Sequence, residues 1–407
     1  MISATRHRAT ADSSGVQRPE PIADGVLYHA TKPEPSRGNC ILLNSRTPAN
    51  PARHSGANEQ MRDALSRVAP GTPLRDGIDR VVRANAGALL VLSDDADALA
   101  LCSGGFLVDA PYSPQRLSEL AKMDGAIILS ADGHRIARAN VHLVPDPTVP
   151  TSETGTRHRT AERVARSLDV PVITASEEMG VINAYAGGSK RQLQEVGRLL
   201  ERANQALQTL ERYKSRLDDA ISNLTAVEIE DIATLRDVAI VVQRGEMLHR
   251  ITDEIETMVI ELGVDARLLR LQLDELYGET DDELDLVVED YLPPGRSAID
   301  TIEEMSRLSD DEVHDLRAAA RTLHRDGDPD DLGQEVAPKG LRILHRVHRL
   351  PAAKAAAVAN HFGALTRLQR ATLEDLLAVD DIDETMARSI RETLIRVTES
   401  TIFDQYN

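Results

Sequence analysis

"KMDGAIILS", residues 122–130, places a carboxylate and a glycine directly before four apolar residues that end at a serine. The run is too short for a free-standing helix. Its β-branched content and its Asp-Gly and Ser boundaries predict a strand buried on both faces. Three more stretches share this form: "GALLVLS" at 87–93, "RIARANVHLV" at 135–144 and "VPVITAS" at 170–176. Amphipathic helical patterns lie between or before them, such as "SPQRLSELAKM" and "PLRDGIDRVVRA". In the latter, Thr72 is placed to cap the helix and Pro73 stands at its first position. Interleaved strands and helices over 61–188 predict an α/β domain with a mixed sheet. Its tightest turns are expected at Gly104-Gly105 and Asp132-Gly133.

Outside that domain the pattern changes twice. Residues 1–60 are rich in Pro, Ser, Asn and Arg without periodicity and read as a disordered N-terminal extension. Residues 189–336 read as almost entirely helical. Leu193, Val196, Leu199, Leu200, Ala203, Leu207, Leu210, Tyr213, Leu217, Ile221 and Leu224 recur every three or four positions, predicting a long helix with 228–262 folding back on it. Residues 337–407 read as short helices joined by tight turns, in two hairpin units near 345–362 and 376–396.

The bulk composition excludes several function classes. Of the 407 residues only 2% are aromatic and none is Trp, which counts against a module that stacks single-stranded bases. Cys40 and Cys102 are the only cysteines. They cannot form a disulfide framework or a zinc site, so a cytoplasmic location is expected. No apolar run reaches the ~20 residues of a membrane span. The net charge of −19 is concentrated in residues 201–336, which hold 14 Lys/Arg against 35 Asp/Glu. Contact with nucleic acid must therefore be local.

Two stretches carry candidate chemistry. Asp124 and Gly125 lie at the entrance to the central strand, where a glycine leaves backbone open to a ligand; a plain turn is the alternative. "TRHRT", Thr156 to Thr160, puts Arg157, His158 and Arg159 between two hydroxyls at a helix start. Cations there add to the positive end of the helix dipole and call for a polyanion. The stretch reads as a phosphate cradle or as a solvated charged turn. No GxxxxGK[ST] loop is present. The same Arg-His-Arg triplet at 6–8 lies in the extension, with no scaffold to aim it.

Together these motifs identify a resemblance. "SELAKMDGAIILS", "RIARANVHLVPDPTVPTSETGTRHRTAER" and "ANQALQTLERYKSRLDDA…EIEDIATLRDV" resemble the DNA integrity scanning (DisA) family of diadenylate cyclases, from about Met61 to the C-terminus. The resemblance implies condensation of two ATP into cyclic di-AMP and two pyrophosphates, across an interface between facing subunits of a homo-octamer. It implies that Asp124 acts on the ribose 3′-hydroxyl, directly or through Mg²⁺ or Mn²⁺. It implies that Gly125 and Leu143 present backbone groups to adenine. Thr156, Arg157, His158, Arg159 and Thr160 would hold the triphosphate, with Ser176 close to the phosphates. His158 is read as a hydrogen-bond donor to phosphate. Glu177 and Glu178 are read as exposed.

The C-terminal region departs from the family pattern. Hairpins that hold DNA phosphate carry a Gly pair, whereas "VDDIDETMARSI" has Asp381 and Asp383 at those places, and the unit around "RLPAAKAAAVANHFGALTRL" lacks the pair as well. Carboxylates there repel phosphate and non-Gly residues resist the turn. Branched DNA is a partner the resemblance implies and these residues weigh against. Two rival readings follow: a DNA-junction binding protein with a regulatory nucleotide site, and a head that binds nucleotide without turnover.

Overall fold

The strand rooted at Asp124-Gly125 is an inner strand of an eight-stranded mixed sheet. The structure, a computed structural model, describes residues 56–405 apart from 178, 279, 294, 325–327, 329 and 330. Expectations for residues 1–55, including Cys40 and the first Arg-His-Arg, and for Glu178 fall outside the described residues.

The head comprises α1 (Gly56–Arg67), α2 (Pro73–Arg83), β1 (Ala88–Val91), α3 (Ala96–Ala100), β2 (Cys102–Ser103), β3 (Phe106–Pro111), α4 (Pro114–Leu120), β4 (Ala126–Leu129), β5 (Arg135–Leu143), α5 (Thr156–Leu168), β6 (Val172–Ala175), β7 (Ile182–Ala186) and β8 (Ser189–Gln192). Strand order is β2-β5-β4-β1-β6-β7-β8, with β3 also pairing β5; β1 and β4 run parallel and the other pairs antiparallel. Alternation sends Leu90, Ile127 and Ile173 into a core shared with Leu65, Ile78 and Leu117 of α1, α2 and α4. Leu89, Ile128 and Val172 face the opposite core with Ala161 and Val164 of α5. Both faces are covered, which is why the inner strands are continuously apolar. Thr72 caps α2 as expected, its Oγ1 accepting from the Arg75 N–H at 3.2 Å.

Two expectations are corrected here. Residues 56–60 are helical rather than part of a disordered extension: α1 starts at Gly56, and Met61, Ala64 and Leu65 bury its inner face against the sheet. Residues 189–192 are the last strand of the sheet rather than the start of the spine. Gly187 and Gly188 both have positive φ, 55° and 71°, and close a two-residue hairpin that pairs Ala186 with Ser189. Leu193, taken with the helical stripe, is buried in the head's core instead.

The spine is α6 (Val196–Ile229), α7 (Leu235–Leu262), α8 (Arg267–Tyr277), α9 (Thr280–Tyr291), α10 (Ala298–Ser306), α11 (Asp310–Val313) and α12 (Leu316–Thr322). Leu199, Ala203, Leu210, Leu217 and Leu224 of α6 share a core with Val238, Val242, Leu248, Ile255 and Met258 of α7, so the chain folds back as expected. No described helix is long and apolar enough to cross a membrane.

The C-terminal helices are α13 (Leu341–His345), α14 (Ala352–Phe362), α15 (Leu365–Arg370), α16 (Leu373–Leu377) and α17 (Glu384–Gln405). Two hairpins repeat one pattern, Val347-x-Arg349-Leu350 between α13 and α14 and Val379-x-Asp381-Ile382 between α16 and α17. Val347, Val379 and Ile382 are buried in one core, with Leu350 packed against it. Missing glycines do not prevent the turns: Arg349 and Asp381 adopt left-handed φ of 60° and 64°. The expected resistance of non-Gly residues to the turn is overcome, because the buried apolar pair on either side fixes the backbone. Lys354 of the first unit donates to the Asp381 carbonyl at 2.6 Å, joining the two turns.

A buried polar cluster anchors this region to the spine. Arg342 ion-pairs with Glu228 and donates to Thr225 Oγ1 at 2.8 Å. The Tyr291 hydroxyl donates to Glu228 at 2.6 Å. The Asp290 carboxylate accepts the Leu341 and Arg342 N–H groups at 2.6 and 3.0 Å, capping α13.

Candidate active site

Asp124 sits where the chain enters β4, its side chain fully exposed, 3.5 Å from the Arg157 guanidinium. Segments more than thirty positions apart in the sequence are thus brought together at one end of the sheet. The Arg157 side chain reaches Asp124 by lying over Gly87: a Cβ at that glycine would stand 2.0 Å from Nη1 and 2.5 Å from Cζ. Gly87 is therefore part of the site, although nothing in its local pattern marked it out from a strand-flanking turn.

Gly125 is required for a different reason. A Cβ there would lie 2.6 Å from the Asn140 backbone carbon and Cα, and Asn140 itself has φ of 52°. The close approach disturbs the β4–β5 register just after Ala126 pairs with Val141. Two residues further along β5, Leu143 lies opposite Cys102 of β2. Because the Val144 N–H bonds to Leu101 O, antiparallel alternation makes Cys102–Leu143 the non-bonded pair. The Leu143 backbone groups therefore turn away from β2, toward the end of the sheet that β4 leaves open at Asp124-Gly125. Its side chain is buried in the core.

Thr156, Arg157, His158, Arg159 and Thr160 form the first turn and a half of α5. Gly155 at the N-cap offers no side chain and the first turn contains no acid, so the leading N–H groups lack a capping partner. Arg159 is exposed, and no ion pair to it is seen among the described residues. The approach to the helix is held by Glu162, whose carboxylate accepts from Thr151 Oγ1 at 2.6 Å and the Ser152 N–H at 2.9 Å and pairs with Arg166 at 2.8 Å. Burial pushes that carboxyl up, and these partners bring it below its usual range. Arg163 and Arg166 tie down the carbonyls of Pro147, Val149 and Pro150. Thr151, Ser152 and Glu162 are thus structural supports that the motif alone did not reveal.

His158 is half-buried beneath this turn. Its Nδ1 lies 3.0 Å from the Tyr185 hydroxyl and 3.1 Å from Thr174 Oγ1. The Tyr185 hydroxyl donates to Glu153 at 3.2 Å, and Glu153 pairs with Lys190 at 2.6 Å. Burial, with Lys190 and Arg157 nearby, holds the imidazole below its usual pKa against the opposing pull of Glu153. Ser176 is buried and its hydroxyl accepts from the Met179 N–H at 3.3 Å, stabilising its own turn; Glu177 is exposed as expected.

The arrangement is an open cationic ledge beside a single exposed carboxylate paired with Arg157. Among the described residues no cluster of three or more His, Cys, Asp or Glu side chains could hold a metal alone. One carboxylate facing a polyanion pocket fits a hard cation whose remaining ligands are phosphate oxygens and water.

Comparison with known proteins places these features in one lineage. Residues 75–190 match the family described as DisA bacterial checkpoint controller nucleotide-binding, and residues 193–331 match its linker region. Residues 352–401 match a helix-hairpin-helix motif. The DNA integrity scanning protein DisA of Frankia alni is 51% identical over 348 residues, spanning 85% of this chain and 97% of that protein. Its counterpart from Streptomyces coelicolor is 47% identical over 364 residues, 88% of this chain and 97% of that one. Among solved structures, a double-cysteine variant of DacA from Staphylococcus aureus is 24% identical, covers 35% of this chain and 91% of its own, and superposes with a TM-score of 0.25.

Proposed function

Because this chain belongs to the DisA family of DNA integrity scanning proteins, we propose that its head is a diadenylate cyclase that condenses two ATP into cyclic di-AMP and two pyrophosphates. The observation that carries this reading is the Arg157 guanidinium laid over Gly87 and held beside Asp124 at the uncapped start of α5.

In this reading adenine meets the backbone groups of Gly125 and Leu143. The triphosphate lies across the α5 N-terminus, contacted by Thr156, Arg157, His158, Arg159 and Thr160, with Ser176 shaping the neighbouring turn. The 3′-oxygen of one nucleotide attacks the α-phosphorus of the other. Asp124 accepts the hydroxyl proton, the bond to the β-phosphate oxygen breaks, and the two arginines balance the charge of the departing pyrophosphate. Mg²⁺ or Mn²⁺, held by Asp124 and phosphate oxygens, would make the hydroxyl more acidic and offset the triphosphate charge.

Ring closure needs this reaction twice, in opposite directions, so two heads must face each other. An exposed Asp124 and an open ledge suit such a pairing, and exposed Phe106 and Leu107 on β3, opposite Ala139 and Arg138 in the middle of β5, offer apolar surface. A homo-octamer, the assembly the resemblance implies, belongs to this reading. The helix-hairpin-helix region would couple the enzyme to branched DNA, the first turn bearing Arg349 and the second Asp381.

The test is incubation of the purified chain with ATP and Mg²⁺ or Mn²⁺, products being separated by chromatography. Cyclic di-AMP is expected from the native protein, with at least a hundredfold less from Asp124→Asn. Bound ATP without product in either metal would overturn the assignment in favour of a silent head.

A further inference from the structure

The hydrogen-bond chain beneath His158 fixes more than its position. Glu153 is paired with Lys190 at 2.6 Å, so it is an anion and can only accept. The single hydrogen of the Tyr185 hydroxyl goes to Glu153, at 3.2 Å. A Tyr185 oxygen lone pair therefore faces His158 Nδ1 at 3.0 Å, and a favourable contact there requires Nδ1 to carry a hydrogen. Thr174 Oγ1, 3.1 Å from the same nitrogen, can accept as well. In the neutral ring the proton is then on Nδ1 and Nε2 is bare. The ring carbon bonded to Nε2 lies 3.5 Å from the place a Gly155 Cβ would take, so that edge turns toward the uncapped start of α5.

A bare nitrogen there repels a phosphate oxygen, whereas a protonated one donates to it. We propose that Lys190, Glu153 and Tyr185 are positioning residues that hold the His158 proton on Nδ1, so that a triphosphate binds with uptake of a second proton at Nε2. This rests on the nucleotide reading of the site. The groups facing the ring are Arg157 on its own helix, Glu153 before it, Thr174 on β6, Tyr185 on β7 and Lys190 on β8. Burial and the cations disfavour the imidazolium. The arriving phosphate charge reverses that balance.

The test uses α,β-methylene ATP, which cannot be cyclised, titrated calorimetrically into the full chain in PIPES and in Tris. The two buffers differ in ionisation enthalpy, so the number of protons exchanged can be extracted. The reference is His158→Gln, which cancels the ligand's own titration. Near pH 7 the native chain should take up as much as about one proton more than His158→Gln, and its affinity should fall by up to about tenfold per pH unit above neutrality. Glu153→Gln is the decisive variant. Its amide can donate to the Tyr185 oxygen, turning the phenol hydrogen onto Nδ1 and moving the imidazole proton to Nε2. It should bind the analogue with at least half of the extra uptake gone, and Tyr185→Phe should behave alike. Equal proton counts for the native chain and His158→Gln would overturn the proposal. So would full uptake in Glu153→Gln and Tyr185→Phe with only the affinity changed. If the native chain does not bind the analogue at all, the nucleotide reading itself falls, and this inference with it.

Discussion

The head and the C-terminal hairpins treat the same residue type in opposite ways. Gly87 and Gly125 are needed for space, because a Cβ would enter the Arg157 guanidinium in one case and the Asn140 backbone in the other. At the hairpins the family's glycine serves the turn's conformation, and here Arg349 and Asp381 hold the left-handed backbone without it. A glycine required by a neighbour's atoms has no substitute. A glycine required by φ alone can be replaced at a cost of about 1 kcal/mol when buried flanking residues hold the turn.

The largest effect that would break this contrast is expected at Gly125. Gly125→Ala drives a methyl into backbone rather than a movable side chain. It should lower stability by about 3 kcal/mol and abolish cyclic di-AMP formation, as read by thermal melting and product chromatography. Retention of both would show that the β4–β5 approach is looser than its geometry indicates. Gly87→Ala should separate the two readouts. The displaced atoms are the tip of a flexible arginine, so the melting temperature should move by no more than a few degrees. Cyclase activity should fall about a hundredfold, because Arg157 leaves Asp124.

The head and the spine that carries the hairpins also differ in how they use aspartate. Asp124 is exposed and free to meet a ligand, whereas Asp290 is buried under α13, and burial raises its pKa to about 6. In the unfolded chain the group titrates near its ordinary value of 3.8, so between that pH and about 6 the folded state holds the extra proton. Stability from this group is greatest at low pH and declines as pH rises through that window, by up to about 3 kcal/mol. Urea midpoints of the native chain and Asp290→Asn, compared at pH 4.5 and pH 7, should show the native chain losing ground between the two. The smallest effect is expected at Asp381→Gly. Stability should change by less than about 1 kcal/mol, while affinity for a four-way DNA junction at low salt rises by up to about tenfold as a carboxylate is removed. Unchanged affinity would mean that this turn does not face DNA.

The parts of the fold that were legible in the sequence are those whose signal is local. The strands β1, β4, β5 and β6 carry their own apolar runs, and α6 carries a stripe that needs no partner to be seen. Strand β8 carries none: "SKRQ" has no apolar residue and is a strand only because the Gly187-Gly188 turn delivers it to β7. The site divides in the same way. Asp124 and the Arg-His-Arg run stand out by residue type, while Gly87, Glu153 and Tyr185 look ordinary where they occur in the chain. Tyr185 reads as a core aromatic of a strand until Glu153 and His158 are brought to its hydroxyl.

The sequence by itself determined that an α/β head with a carboxylate and a cationic helix start is followed by an acidic helical spine and paired hairpins. Residue type, periodicity and charge express those features over a few neighbouring positions. Only the tertiary structure decided that Arg157 crosses Gly87 to reach Asp124, that Asn140 abuts Gly125, and that Tyr185 and Thr174 meet Nδ1 of His158. Each of these depends on atoms from separate elements of the chain coming into contact, and no pattern along one segment encodes such a meeting.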